Sequence, residues 1–269
     1  MNRRQFGLLA AAALVLTPAA ALAWSPVSNA LADSRRTAED KDRDARSKPA
    51  EVVAFAHIKS GSKVADLVIG GGYYSRVFAS VVGPRGKVWS WQPAEFVSFS
   101  ADYAKPLTEL PVAFPNVSTS GASFAEFAPP GGLDVAFTNQ NYHDFHLPPF
   151  PADTAAKVNA AVFAALKPGG YYVIIDHSAV SGADVGTTAN TLHRIDIDAV
   201  KREVMAAGFV LDGSSDLLRN PADPRTAIVF DPGIRGHTDQ FMLRFKKPRF
   251  SMFNRHAPTP SDQTPGMIH

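Results

Sequence analysis

Three glycines and three histidines carry most of the chemistry open to this chain. Gly70-Gly71-Gly72 follow directly on the apolar run Lys63-Val64-Ala65-Asp66-Leu67-Val68-Ile69. Consecutive glycines let the backbone turn tightly and approach a ligand with no side chain in the way, and a following helix aims free N–H groups at the same place. A plain tight turn would use the same residues. Each histidine stands near a carboxylate, in Asn141-Tyr142-His143-Asp144, Asp176-His177 and Leu192-His193-Arg194-Ile195-Asp196. An imidazole that titrates near neutral pH, oriented by Asp144 or Asp176, can take a proton from a hydroxyl or an amine. The same set could equally bind a divalent metal, although no H-x-x-x-H spacing is present. Each histidine could also do no more than shape a pocket mouth. His146, beside Leu147-Pro148-Pro149-Phe150, reads as a loop residue, and Arg194 with Asp196 as an ion pair.

For these residues to meet, the strands preceding them must lie side by side. Short apolar runs at 63–69, 87–92 and 133–139, and the strongest at Tyr171–Asp176, read as buried strands. Helical spacing fills 50–58, 74–82, 94–110, 154–166 and 198–207, with Gly/Pro turns such as Gly83-Pro84-Arg85-Gly86 and Lys167-Pro168-Gly169-Gly170 between. A weak strand near Val117, one from Phe209 and a last one at Phe241–Phe245 complete the set. The alternation predicts an α/β fold: a Rossmann-like, doubly wound, mostly parallel seven-stranded sheet with helices on both faces. In such a sheet ligands bind beyond the carboxyl ends of the strands, which is where the glycines and histidines fall.

The segment Val64-Ala65-Asp66-Leu67-Val68-Ile69-Gly70-Gly71-Gly72 resembles the first motif, D-x-G-x-G-x-G, of the class I S-adenosylmethionine-dependent methyltransferases. Asp66, Gly70 and Gly72 match, and Val68 stands where the first glycine is usual. Lys167-Pro168-Gly169-Gly170 resembles the late L-K-P-G-G segment. The resemblance spans residues 48–248. It is nearest to a bacterial group of exported, predicted methyltransferases marked by the N-Y-H-D, D-H, L-H-R-I-D and T-D-x-F segments, the last standing here as Thr238-Asp239-Gln240-Phe241. It implies S-adenosylmethionine as cofactor, held by Asp66, Gly70, Gly71, Gly72, Gln92, Ser123, Phe124 and Asn139. It also implies methyl transfer to a small-molecule acceptor with His143, Asp144 and His177 as catalytic residues. Two carboxylates of the family are missing. Gln92 occupies the ribose-binding position, with Glu95 a substitute one turn on, and Ala122-Ser123-Phe124 replaces the acidic residue near the adenine. A binding or sensing protein that kept this fold and lost catalysis is the alternative.

The chain ends bear on where such a protein works. Met1–Phe6 is basic, the stretch from Gly7 to Leu16 is apolar, and Ala21-Leu22-Ala23 is a cleavage pattern, so residues 1–23 read as a bacterial signal peptide. Arg3-Arg4-Gln5-Phe6 resembles the twin-arginine signal, which points to a periplasmic or secreted protein with no stable membrane span after processing. Lys and Arg number 27 against 25 Asp and Glu. Arg3 and Arg4 are the only charged residues in 1–23, so processing leaves the two signs equal, a poor balance for a nucleic-acid binder. Cysteine is absent, which excludes thiol nucleophiles and Cys-ligated zinc. Residues 24–47 read as a polar segment, partly helical, with a solvated charged helix near 36–46. Residues 249–269 read as a disordered tail.

Overall fold

A computed structural model of the chain describes residues 26–249. The expected leader lies outside them, as does the expected tail except for Arg249. The apolar runs form seven strands: β1 (Lys63–Leu67), β2 (Lys87–Trp91), β3 (Val117–Ser120), β4 (Leu133–Asn139), β5 (Leu166–His177), β6 (Val210–Ser215) and β7 (Gln240–Lys246). They make one sheet in the order β3-β2-β1-β4-β5-β7-β6. The first five are mutually parallel, and β7 runs antiparallel to both β5 and β6. The seven-stranded, mostly parallel fold expected from the alternation is the one observed.

The described helices are α1 (Pro26–Leu31), α2 (Ala38–Ser47), α3 (Pro49–Phe55), α4 (Tyr73–Val82), α5 (Ala94–Phe99), α6 (Lys105–Ala113), α7 (Thr154–Ala165), α8 (Val185–Leu192) and α9 (Ile197–Ala206). Successive residues of β5 divide between two cores, as strand geometry requires. Tyr172 and Ile174 join the core built with α7 and α9, while Val173 and Ile175 join the one built with α3 and α4. Val77, Phe78 and Val82 of α4 are fully buried there, each worth about 1.5–3 kcal/mol of transfer free energy. The chain leaves β1 toward β2 and β3, then returns to β4 on the other side of β1. That reversal opens a crevice at the carboxyl ends of β1 and β4.

Three expectations need correction. The helix expected over 94–110 is broken: α5 stops at Ser100, whose extended backbone caps a short 3-10 turn (Ala101–Ala104), and Pro106 then opens α6. Lys167-Pro168-Gly169-Gly170 does not end a helix as a free turn; β5 runs through it, with a register shift opposite Leu133/Val135 and Gly169 at φ +85. The charged helix α2 is solvated on one side only, with Glu39, Lys41, Asp42 and Arg46 exposed. Arg36 and Asp40 are buried, Arg36 pairs with Asp44 at 2.5 Å, and Arg76 of α4 holds Asp40 through two bonds of 2.5 and 2.7 Å. Tyr73 adds a hydroxyl donated to Asp44 at 2.7 Å. Paired in this way, charges that read as solvent-facing become the contact that seats α2 beside the crevice.

Candidate active site

The crevice encloses about 490 Å³, and its floor is the loop after β1. Gly70 (φ +52) and Gly72 (φ +80) sit in the left-handed region, and a Cβ on Gly72 would meet Arg76 and Leu110 at 3.1 and 3.3 Å. Val68 also has φ +56, a conformation that costs a side-chain-bearing residue about 1–2 kcal/mol. The motif's usual glycine would avoid that strain. The loop is tied down on both sides. Gly70 donates its N–H to Gln92 Oε1 at 2.8 Å, and Asn141 Nδ2 donates to the carbonyl of Val68 at 2.9 Å and to that of Asn139 at 2.6 Å. Under the loop Ser90 donates to Ser75, and Ser75 to Asp66 at 2.6 Å. Burial pushes the Asp66 carboxyl up to about 7, against the lowering effects of the Ser75 hydroxyl and the Arg43 charge.

Gln92, at the end of β2, is fully buried and faces this space. Its oxygen is engaged by the Gly70 N–H. The free group is Nε2, buried and without a hydrogen-bond partner among the described residues. A buried amide donor left unmatched costs about 1–3 kcal/mol, so the site favours a ligand with an acceptor at that point.

The opposite wall holds the histidines. His143 leads the 3-10 turn after β4 and is 3% exposed. Its Nδ1 lies 2.8 Å from Asp176 Oδ1, and its backbone N–H donates to Asp176 Oδ2 at 2.8 Å. Its Nε2 lies 3.1 Å from Asp144 Oδ1 and 3.3 Å from His193 Nδ1. Burial disfavours a charged imidazole here, but Asp176 and Asp144 overcome it and push His143 up to about 10. Burial likewise raises Asp144, and the adjoining His143 more than reverses this, so its carboxyl is lowered. His177 differs: burial, only partly offset by Asp176 and reinforced by the charges of His143 and Arg194, pushes it down to about 4. Its Nδ1 lies 2.7 Å from Thr238 Oγ1, and no described residue bonds its Nε2. Environments that drive two neighbouring groups apart in this way are typical of acid–base sites. His193, at the end of α8 with φ +53, and Gln140, with φ +61, also line the crevice. Left-handed backbone at three non-glycine residues of one crevice is a concentration of strain usual at functional sites.

Asp66, Gly70, Gly71, Gln92, Asn139, His143, Asp144 and His177 therefore share one crevice, with Gly72 just behind it. Ser123 and Phe124 do not reach it. Ser123 caps a short turn with Glu126, and Phe124 packs against Trp91, Phe145 and Phe150. Glu95 does not line the crevice either, and its carboxylate accepts the Phe124 N–H at 3.0 Å. Arg194 pairs with Asp223 at 2.8 Å rather than with Asp196, which caps α9 instead. Several lining residues were not anticipated. Arg43 of α2 projects into the crevice over the Tyr73 ring, and Val229 and Phe230 arrive from the long connection between β6 and β7. Phe96, Phe99 and Tyr103 make an aromatic wall beyond Gln92. A recess of about 240 Å³ adjoins the crevice past His177, with Arg43, Arg46 and Arg235 in its lining.

No protein-family model matches the chain, and no curated protein matches it by sequence. Solved structures do. The [4+2]-cyclase SpnF superposes with a TM-score of 0.54 at 17% identity, covering 83% of this chain and 92% of that one. A protein of Galdieria sulphuraria assigned as a sarcosine dimethylglycine methyltransferase gives 0.53 at 14%, covering 76% and 86%. An S-adenosylmethionine-dependent methyltransferase of Aquifex aeolicus gives 0.50 at 17%, covering 74% and 89%. With its strand order, the chain has the fold of the class I methyltransferases.

Proposed function

We propose that the chain is an S-adenosylmethionine-dependent methyltransferase whose acceptor is a small molecule bearing negative charge. Fold alone does not fix chemistry, and one relative of the same fold is named a cyclase. The observation that carries the proposal is the unmatched Nε2 of Gln92, buried at the end of β2 beside a glycine loop open to a ligand. A ribose hydroxyl oxygen is the acceptor that this donor lacks. Gly71 presents no side chain to the crevice, and a Cβ built there touches nothing within 4 Å. Arg43 supplies the cation for an α-carboxylate, and Phe96, Phe99 and Tyr103 offer faces for a purine.

When bound, the cofactor supplies an electrophilic methyl on sulfonium, and transfer to a nucleophile is mainly a matter of position. His143 has both ring nitrogens engaged, so the role expected of it as base passes to His177, whose Nε2 is open and whose imidazole stays neutral at pH 7. Thr238 holds that ring through Nδ1, and the His177 backbone N–H donates to the Asp176 carboxylate at 2.7 Å. The arginine-lined recess on the far side of His177 receives the acidic part of the acceptor.

The test is transfer of labelled methyl from S-adenosylmethionine to paired acceptors, carboxylated phenols and amines against their neutral counterparts. Label in the acidic members alone supports the proposal, and absence of transfer together with absence of cofactor binding ends it. A second reading rests on the Glu95–Phe124 contact, which occupies a backbone donor after β3. Cofactor bound without transfer to any acceptor would favour that reading, a binding protein on this fold.

A further inference from the structure

We infer that His143, Asp144 and His193 form a binding site for a divalent transition ion of the zinc type, with one coordination position open to the crevice. The inference stands independently of methyl transfer. His143 and Asp144 come from the turn after β4, and His193 from the end of α8, so the site closes only when the two elements pack. The three donor atoms lie within 4.8 Å of one another. Their separations are 3.1 Å (His143 Nε2 to Asp144 Oδ1), 3.3 Å (His143 Nε2 to His193 Nδ1) and 3.9 Å (His193 Nδ1 to Asp144 Oδ1). Zinc binds imidazole nitrogen and carboxylate oxygen at about 2.0–2.2 Å, and a tetrahedron of that size has edges of about 3.3–3.6 Å. The observed triangle brackets that value. A contact of 3.3 Å between two ring nitrogens is long for a hydrogen bond, whereas it is ordinary between two ligands of one ion.

Charge and surroundings agree with this. Asp144 and Asp176 are both buried in the cluster; among the described residues neither meets a Lys or Arg, and their only basic partners are the histidines themselves, His143 for both and His193 for Asp144. The buried guanidinium of Arg194 is committed to Asp223. Asp176 lies on the far side of His143, 2.8 Å from Nδ1. A carboxylate on the other ring nitrogen of a ligating histidine fixes the ring and raises its basicity as a ligand. All three ligands line the crevice, so the fourth position is left for water or for an oxygen of the acceptor. Two imidazoles, one carboxylate and an open position are the usual plan of a catalytic zinc site.

The experiment uses the full chain, stripped with a chelator and titrated with zinc sulfate by calorimetry, then with cobalt(II) followed by visible absorption. One zinc per chain and a tetrahedral cobalt spectrum are expected. His193→Gly removes a ligand at a left-handed position that glycine favours, so the fold is kept; Asp144→Asn keeps side-chain volume. Each should weaken zinc at least about tenfold with an unchanged melting profile, while His237→Ala, at an exposed histidine, should bind as the parent does. No binding by the parent, equal binding by the parent and both ligand variants, or loss on His237→Ala would overturn the assignment. Titration with S-adenosylhomocysteine on the same samples reports the cofactor site separately.

Discussion

Asp66→Asn should change the pH dependence of stability more than any other single substitution in the crevice floor. Asp66 is fully enclosed, and burial lifts its carboxyl from 3.8 to about 7 in the folded chain. Between those values the folded state holds a proton that the unfolded state has released. Stability therefore falls as pH rises from about 4 to 7 and levels off above 7. Each decade of pH in that window is worth about 1.4 kcal/mol, so the accumulated loss is roughly 4 kcal/mol. Asparagine resembles the protonated carboxyl and keeps an oxygen for the Ser75 hydroxyl, which now approaches at 2.6 Å. The variant should match the parent near pH 4 and exceed it by up to roughly 4 kcal/mol above pH 7. Urea denaturation followed by far-ultraviolet circular dichroism across that range measures the difference. Parallel curves for the two proteins, with a constant offset, would refute the reasoning, since they would mean that Asp66 ionises alike in both states.

Gln92→Glu should tighten S-adenosylhomocysteine by about 1 kcal/mol, because one oxygen keeps the Gly70 N–H and the other accepts a ribose hydroxyl; calorimetry reads it, and unchanged affinity would count against a ribose at that position. Arg76→Met leaves Asp40 buried without its partner and should cost roughly 3 kcal/mol of stability in a denaturant melt. By loosening α2 it should also weaken the same ligand, since Arg43 rides on that helix. The expected leader carries its own prediction: replacing Arg3 and Arg4 with Lys should leave unprocessed precursor in the cell, and normal maturation would remove the twin-arginine reading.

Strand-forming runs and the turn glycines made the sheet legible before any coordinates, because a buried parallel strand is a continuous apolar segment and its loop chemistry is local. The crevice was legible for the same reason: Asp66, Gly70, Gly71, Gln92, Asn139, His143, Asp144 and His177 all stand at or just past strand ends. What local pattern cannot carry is the partner of a polar group. Gln92 has an oxygen and an amide, and only the fold shows that Gly70 takes the oxygen. The α2 charges all look solvent-facing by composition, and Arg76, 36 residues from Asp40, makes that one internal. Arg43 and Phe230 reach the crevice from segments with no motif at all. Ser123 and Phe124 were placed by analogy with a family position, and the aromatic cluster around Trp91 draws Phe124 away from it.

If the glycine loop and Gln92 hold a nucleoside cofactor, it should be excluded by a side chain at Gly71. Its backbone needs no positive φ and its Cβ direction is open, so Gly71→Leu should fold and melt like the parent while filling the space over the loop. Calorimetric titration with S-adenosylhomocysteine should show one site in the parent and none in Gly71→Leu. Equal binding by the two proteins, or no binding by the parent, would mean that this loop holds no such cofactor.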